Sequence, residues 1–130
     1  MKVISIKEPF ASLIMNGSKK IETRSWKTNY RGELYIHASG KKIAKEYVDN
    51  PYIWSSLKEM KMNYGNIICK GNIVDCIYMD EEFLEKIKND HPEYECGHYE
   101  IGRYAWVLDD IEIIDPIPAK GKLSIWNYTK

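Results

Sequence analysis

The stretch Asn66–Tyr78, NIICKGNIVDCIY, decides the fold class of this chain. It is long for a strand and rich in β-branched residues, which favour the extended conformation. Gly71 lies in its middle and predicts a bulge or a sharp bend, because glycine lets another backbone approach closely. The stretch therefore predicts a bent strand that can serve a curved sheet.

The segments on either side of this strand predict a β-rich α+β domain. A helix is expected from Glu8-Pro9 to Asn16-Gly17, since proline suits a first helical turn and glycine suits a helix end. Five to six mixed strands can close into a barrel with flanking helices. The other expected elements are strands near 2–6, 20–26, 34–38 and 104–114, a closing segment through Trp126, helical structure over 41–61 broken at Asn50-Pro51, a helix over 80–88 with Asp80 as N-cap, and a loop over 89–102.

The composition indicates an ordinary globular domain. With 130 residues, 44% hydrophobic and 29% charged, the chain fits a single domain over residues 1–130. The first residues hold only a short apolar stretch, and no apolar run approaches the about 18 residues that span a bilayer. We therefore expect a cytoplasmic location, no membrane partner, and reduced thiols at Cys69, Cys76 and Cys96. A metal site from His91, Cys96 and His98 is an alternative, but these residues lack paired ligand spacing, so neither a metal nor another cofactor is expected.

Charge is distributed unevenly although the net charge is zero. Residues 1–45 hold ten Lys and Arg and three Glu, a net charge of +7. Residues 46–130 hold nine basic and sixteen acidic residues, a net charge of −7. Such asymmetry indicates a surface that faces a polyanion, although two halves that neutralise each other across the fold would give the same counts.

Lys19, Glu22 and Arg24 form the strongest candidate site. Glu22 and Arg24 are two residues apart on a predicted strand, so their side chains share one face, and Lys19 lies at the preceding turn. The two cations could hold a phosphate while Glu22 orients Arg24. Alternatively, Lys19 could accept a proton while Glu22 positions a water. An exposed ionic strand face without any ligand is the simplest alternative.

Aromatic residues supply a second argument for nucleic acid. Single-stranded bases stack on such rings at about 1–3 kcal/mol each. Trp26 directly follows the basic face and is the best stacking candidate, whereas Trp106 and Trp126 are expected in the core. His37 could act as a general acid or base near neutral pH, but a histidine on a strand is more often a hydrogen-bonded structural residue.

Residues 5–39, SIKEPFASLIMNGSKKIETRSWKTNYRGELYIHAS, resemble the opening of an ASCH domain. Three later blocks, IICKGNIVDC, GRYAWVL and PIPAKGKLSIW, are also similar to this family. Lys7 and Phe10 stand where many members have Arg and Trp, so bidentate phosphate binding at residue 7 is less favourable. The blocks that match the family's GxKxxExR signature and its sequel are Gly17, Lys19, Glu22 and Arg24, then Ser25-Trp26, Tyr30-Arg31-Gly32 and Ile36-His37-Ala38-Ser39.

The resemblance implies a PUA-like β-barrel with flanking helices and a basic, aromatic cleft between the barrel and the helices. Some relatives are binding modules, and this role implies single-stranded RNA or a modified nucleoside as the partner. The alternative is a hydrolase in the same cleft, a ribonuclease before an N4-acetylcytidine amidohydrolase, with Lys19, Glu22 and His37 as catalytic residues. The residues expected to bind the ligand are Ser5, Lys7, Lys19, Glu22, Arg24, Trp26, Tyr30 and Arg31.

The amidohydrolase branch of the family fits this chain least well. That branch pairs the Lys with a Thr three residues later and with a Glu on the middle strand. Glu22 stands at the Thr position here, Thr23 is one residue out of phase, and Asp75 is the nearest acid on the middle strand. A third class, a protein-interaction module using the acidic helix near 80–88, stays open, although a solvated helix face explains its charge equally well.

Overall fold

The described part of the chain contains six strands that form one mixed sheet. The structure, a computed structural model, describes residues 1–48, 50–51, 53 and 61–129. Strand β1 pairs in parallel with β3, and all other neighbouring strands are antiparallel. The strands are β1 (Lys2–Ile6), β2 (Ile21–Arg24), β3 (Gly32–Ala38), β4 (Asn66–Tyr78), β5 (Tyr104–Pro118) and β6 (Ile125–Asn127), in the spatial order β2-β5-β4-β3-β1-β6.

Strand β4 is the bent central strand that the sequence predicts. It pairs with β3 on one side and β5 on the other, and its register with β5 shifts between Lys70 and Asn72. A Cβ atom on Gly71 would lie 2.9 Å from the backbone oxygen of Asp109 and 2.6 Å from Cδ1 of Ile111. Only a residue without a side chain fits this close approach, so the predicted glycine bend is confirmed.

The sheet curls so that its two ends approach each other. Strands β2 and β6 are the edges, and β1 lies next to β6. The guanidinium of Arg24 on β2 nevertheless donates a hydrogen bond to the backbone oxygen of Ser5 on β1, with Nη2 and O 2.9 Å apart. The six strands therefore form a half-barrel, whose open side is spanned by a side chain instead of a ladder of backbone hydrogen bonds.

Four helices have both ends in the described ranges: α1 (Phe10–Met15), α2 (Lys45–Val48), α3 (Glu81–Lys88) and α4 (His91–Glu95). Helix α1 follows Pro9 and ends before Gly17, whose φ of 86° needs glycine. The side chain of Asp80 accepts a hydrogen bond from the backbone N of Phe83, which confirms the predicted N-cap of α3. Helix α2 ends at Val48 and Asn50 is not helical, which agrees with the predicted break at Asn50-Pro51, whereas residues 52 and 54–60 of the predicted helical stretch lie outside the described residues. No helix within the described ranges is long and apolar enough to cross a membrane.

Two segments differ from the prediction. Residues 91–95, expected in a loop, form α4, in which Asp90 caps the helix by accepting from the N of Glu93. Strand β5 continues to Pro118 instead of ending near Ile114. The N–H of Leu108 still donates to the oxygen of Lys20, and beyond it this strand pairs with β4 alone among the described residues. A proline, which has no N–H, is tolerated where its nitrogen faces an edge that pairs with no strand.

The main core lies between the sheet and α1. Trp106 is fully buried there, as the sequence predicts, and the edge of its ring meets the ring of Trp26. Trp126 belongs to a smaller cluster that contains Val3 of β1 and Ile67 at the beginning of β4. The buried members of the main core are Ile4, Ile6, Ala11, Ile14, Leu34, Ile36, Ala38, Ile68, Cys69, Ile73, Trp106 and Leu108.

Candidate functional site: a basic cleft at the open side of the half-barrel

Two cavities adjoin each other where the sheet opens. One, about 400 Å³ in volume, is called here the tryptophan cavity, and the other, about 420 Å³, the lysine cavity. Both are lined by Ser5, Lys7 and Arg24. The tryptophan cavity is further lined by Ile6, Phe10, Glu22, Thr23, Ser25, Trp26, Tyr47, Cys96, Gly97, His98 and Arg103. The lysine cavity is further lined by His37, Ser39, Gly40, Lys41, Gly121, Lys122, Leu123 and Ser124.

Arg24 lies at the junction of the two cavities in a fixed position. Its Nε and Nη2 atoms are 3.0 Å and 2.8 Å from Oε2 of Glu22, and Nη2 also donates to the oxygen of Ser5. Strand β2 places Glu22 and Arg24 on one face, as their spacing predicts. The arginine side chain is 23% exposed. It is therefore preorganised and still reachable by an anion.

The aromatic wall of the tryptophan cavity rests on the core. The rings of Trp26 and Trp106 meet edge to face at 4.6 Å, and Nε1 of Trp106 donates to the oxygen of Trp26 at 3.3 Å. Phe10 meets Tyr47 edge to face at 4.8 Å. Trp26 is half-buried and thus keeps part of its surface available to a flat ligand ring.

Lys19, predicted to line the cleft, lies behind it. Its side chain is 1% exposed, and Nζ is 3.9 Å from Oε2 of Glu93 on α4. The ammonium is 5.7 Å from the ring centre of Phe10, which forms part of the cavity wall. Among the described residues Nζ has no hydrogen-bond partner. Lys19 is therefore a buried cation with one distant carboxylate, separated from the tryptophan cavity by the residues of its wall.

The surroundings of Lys19 shift the acidity of three groups. Burial raises the pKa of the Glu93 carboxyl group, although Lys19 and the backbone N–H of Lys20 oppose the shift. Burial also raises the pKa of the Cys96 thiol to about 11. The pKa of Tyr99 is raised by burial and by Glu93, to which its hydroxyl donates at 3.4 Å. Desolvation, rather than ion pairing, is thus the largest cause of the pKa shifts in this buried cluster.

His37, the predicted acid or base, is a hydrogen-bonded residue of the floor of the lysine cavity. Its Nε2 lies 2.7 Å from the oxygen of Ala119, and its Nδ1 lies 3.0 Å from Oγ of Ser5. A carbonyl oxygen only accepts, so Nε2 donates and Nδ1 accepts from the Ser5 hydroxyl in the neutral ring. Nε1 of Trp126 in turn donates to Oγ of Ser5 at 3.2 Å. Both ring nitrogens of His37 are therefore engaged within the protein.

Tyr30 and Arg31, also predicted to bind the ligand, line neither cavity. The hydroxyl of Tyr30 donates to the oxygen of Glu33. The guanidinium of Arg31 donates to the oxygens of Thr28 and Tyr30, at 3.1 Å and 3.0 Å. These two residues shape the turn before β3. Asp75, the acid on the middle strand, also lies outside both cavities and is exposed.

Several basic cleft residues were missed because they come from segments far apart in the sequence. Arg103 precedes Tyr104, the cross-strand partner of Arg24, and its Nε donates to the oxygen of His98 at 2.9 Å. Lys41 and Lys122 reach the lysine cavity from the segments after β3 and before β6. The blocks GRYAWVL and PIPAKGKLSIW, which contain Arg103 and Lys122, were the available signal.

Two curated proteins are similar to this chain. It is 26% identical over 129 residues to activating signal cointegrator 1 of Mus musculus, and 26% identical over 126 residues to the protein of the same name from Homo sapiens. Both alignments cover 95% of this chain but 21% of the relative. The chain therefore spans about a fifth of the length of these relatives.

Solved structures of an ASCH protein from Zymomonas mobilis share the fold. The first superimposes with a TM-score of 0.58 at 20% identity, over 90% of this chain and 72% of the other. A mutant of that protein gives a TM-score of 0.57 at 19% identity, over 90% and 74%. This likeness confirms the predicted α+β, PUA-like class. The sequence model of the ASCH domain family matches residues 4–118, and the chain therefore belongs to the ASCH domain family.

Proposed function

We propose that the cleft binds single-stranded RNA or a modified nucleoside. A base stacks against Trp26 in the tryptophan cavity, and Arg24 and Lys7 hold the adjoining sugar and phosphate groups. Arg24 carries this proposal, because Glu22 and Ser5 fix a partly exposed guanidinium at the junction of the two cavities. A planar donor group beside an aromatic wall suits a strand whose bases are unstacked.

The charge around the cleft supports the same function. Lys7, Arg24, Lys41, Arg103 and Lys122 line the two cavities. Glu22 is the one carboxylate in either lining within the described part of the chain, and it already pairs with Arg24. A concave surface of one charge concentrates an anionic ligand and orients its approach.

The test is binding of end-labelled single-stranded RNA to the purified protein, run in parallel on native and denaturing gels. Lys7→Glu and Lys88→Glu form a matched pair, because both exchange the same charges on exposed side chains. Lys88 lies in α3 and lines neither cavity. We expect Lys7→Glu to weaken binding by about tenfold or more and Lys88→Glu to have little effect, since hydrogen bonds to charged groups contribute about 1.5–3 kcal/mol.

Equal effects of the two variants would contradict the proposed cleft. Absence of any shift with RNA would leave the modified nucleoside as the ligand to be tested, by calorimetry with free nucleosides. A failure of both RNA and nucleosides to bind would refute the function itself. Trp26→Leu is the second site variant, and it should weaken binding of RNA while Lys88→Glu again serves as the reference.

The buried lysine favours a hydrolase as the second candidate function. Lys19 keeps a desolvated ammonium without a hydrogen-bond partner in the described part of the chain, directly behind the wall of the cleft. A buried polar atom without a hydrogen-bond partner is rare in an ordinary core, and a catalytic role is one explanation for it. A ribonuclease is the first form of this candidate and an N4-acetylcytidine amidohydrolase the second.

Lys19→Met separates this candidate from simple binding, because methionine keeps most of the length of the side chain and removes the charge. RNA that is shortened by the wild type and intact with the folded variant would establish a ribonuclease. Release of cytidine from N4-acetylcytidine, followed by chromatography, tests the amidohydrolase in the same way. Bound but intact RNA, and unchanged N4-acetylcytidine, would rule out both activities for these substrates.

A further inference from the structure

We propose that the lysine cavity is a phosphate subsite, so that the ligand of the cleft is a nucleotide or an RNA strand rather than an uncharged nucleoside. This inference rests on the proposed function, because it assigns the second half of the same cleft. The aromatic wall could bind the base of a nucleoside, a nucleotide or RNA, and the phosphate subsite distinguishes the last two from the first. Three independent features of the lysine cavity support it.

The first feature is a group of positively charged side chains that has no carboxylate beside it among the described residues. Lys7, Lys41 and Lys122 line the cavity together with Arg24, and its lining contains no Asp or Glu among the residues that the structure describes. Over the same residues, none of the three lysines forms an ion pair with a carboxylate. Neighbouring cations repel one another, and a bound phosphate removes that repulsion.

The second feature is a floor that is fixed by hydrogen bonds. Ser5 accepts from Trp126 and donates to His37, which in turn donates to the oxygen of Ala119. The segment after Ala119 lies directly on this network. A Cβ atom on Gly121 would be 2.8 Å from Oγ of Ser5 and 3.0 Å from Cε1 of His37. The residue that precedes Lys122 is thus locked against the floor, which places the lysine at the rim of the cavity.

The third feature is the free part of the Arg24 guanidinium. An arginine side chain has five N–H donors. Nε and Nη2 are engaged by Glu22 and Ser5, whereas Nη1 has no acceptor within the described residues. Because Arg24 lines both cavities, its remaining donors can contact a phosphate in the lysine cavity while the base of the same nucleotide lies in the tryptophan cavity.

Calorimetry with matched ligands tests the subsite. Each of the four ribonucleosides is compared with its 5′-monophosphate, its 3′-monophosphate and a five-nucleotide RNA of the same base. We expect a monophosphate to bind about tenfold or more tightly than its nucleoside. The 5′ and 3′ forms identify which phosphate enters the cavity, and the RNA arm shows whether a strand is preferred over a free nucleotide.

The double variant Lys41→Ala/Lys122→Ala should bring the ratio of monophosphate to nucleoside affinity close to one. Lys86→Ala/Lys88→Ala removes two exposed lysines of α3 and is the matched control. Equal affinity of the wild type for nucleosides and monophosphates, or a preference that survives in Lys41→Ala/Lys122→Ala, would overturn the subsite while the proposed function stands. Failure of nucleosides, nucleotides and RNA to bind would overturn both.

Discussion

The three unpaired cysteines occupy different environments, and their reactivity should differ accordingly. Burial, and secondarily Glu8, raises the pKa of Cys69 to about 12, and burial raises the pKa of Cys96 to about 11. Cys76 on β4 is only half-buried. Because the thiolate is the reactive form, we expect one of the three thiols, Cys76, to react rapidly with a disulfide reagent at pH 8.

The measurement is a thiol titration before and after unfolding in guanidinium, with the modified cysteine located by mass spectrometry. All three thiols should react in the unfolded chain. Cys76→Ser is the control and should show no rapid phase in the folded state. Rapid modification of Cys96 would indicate that the wall of the tryptophan cavity opens to solvent.

The buried carboxyl group of Glu93 should make stability depend on pH. Its folded-state pKa is raised above the ordinary value of 4.5, chiefly by burial. Between these two values the folded protein binds more protons than the unfolded chain, so the free energy of unfolding falls as the pH rises through this range. Glu93→Gln cannot titrate. We therefore expect the stability of the wild type, relative to Glu93→Gln, to decrease as the pH rises from below 4.5 towards neutrality.

Urea unfolding of both proteins at a series of pH values measures this difference. The contributions of the titratable groups that the two proteins share cancel when their free energies of unfolding are subtracted. Glu95→Gln, a change in the same helix, provides the reference for a carboxyl group at a less buried position. A difference that is constant with pH would show that the effects of burial and Lys19 on the Glu93 pKa cancel, and one that grows with pH would show that Lys19 outweighs burial.

At the scale of secondary structure, the bend of β4 depends on one glycine. The Cβ atom of an alanine at residue 71 would meet the backbone oxygen of Asp109, which cannot move without shifting β5. Gly71→Ala should therefore destabilise the protein by about 1–3 kcal/mol, as overpacked substitutions do. Gly40→Ala is a suitable control, because an added Cβ there meets no atom within 4 Å and the φ of Gly40 is not positive.

Denaturant unfolding of the two variants measures the effect. A Gly71→Ala protein that is as stable as Gly40→Ala would mean that the register shift in β4 adjusts without cost. The strand could then straighten, and the curl that brings β2 towards β1 would have another origin.

Helix α3 provides a second prediction at this scale. Asp80 satisfies the backbone N–H of Phe83, so Asp80→Ala should cost about 1 kcal/mol of stability, whereas Asp80→Asn should retain most of it because asparagine caps equally well. Thermal unfolding at neutral pH tests both. Equal losses in the two variants would assign the effect to the negative charge near the helix N-terminus instead of the hydrogen bond.

The elements that the sequence predicts correctly are those with strong local signals. Strand β4 is marked by its β-branched residues and Gly71, and α3 by Asp80 and its amphipathic pattern. The continuation of β5 could not be predicted, because Pro116 is acceptable in a strand only where one edge is free, which is a property of the whole sheet. In the cleft, Glu22, Arg24 and Trp26 are close in sequence, so the sequence predicts them together. Lys41, Arg103 and Lys122 are far apart in sequence, and the curl of the sheet brings them to the same cleft.

At the scale of the whole molecule, the two oppositely charged parts of the sequence do not neutralise each other at the cleft. Acidic residues on β5, such as Asp109, Asp110 and Glu112, are exposed and line neither cavity. Lys7 and Lys41 come from the basic part and meet Lys122 from the acidic part at one surface. A protein of zero net charge therefore keeps a locally cationic surface.

This arrangement predicts that salt weakens RNA binding strongly and nucleoside binding hardly at all. Each phosphate contact on a single strand contributes about −0.7 to the slope of log K against log salt concentration. Contacts with about three phosphates would give a slope near −2, and Lys7→Glu should make it shallower by about 0.7. Fluorescence anisotropy from 50 to 300 mM salt, roughly the range in which such effects are measured, tests this. A slope near zero with RNA would mean that the bases alone are recognised, and the cations of the cleft would then have another role.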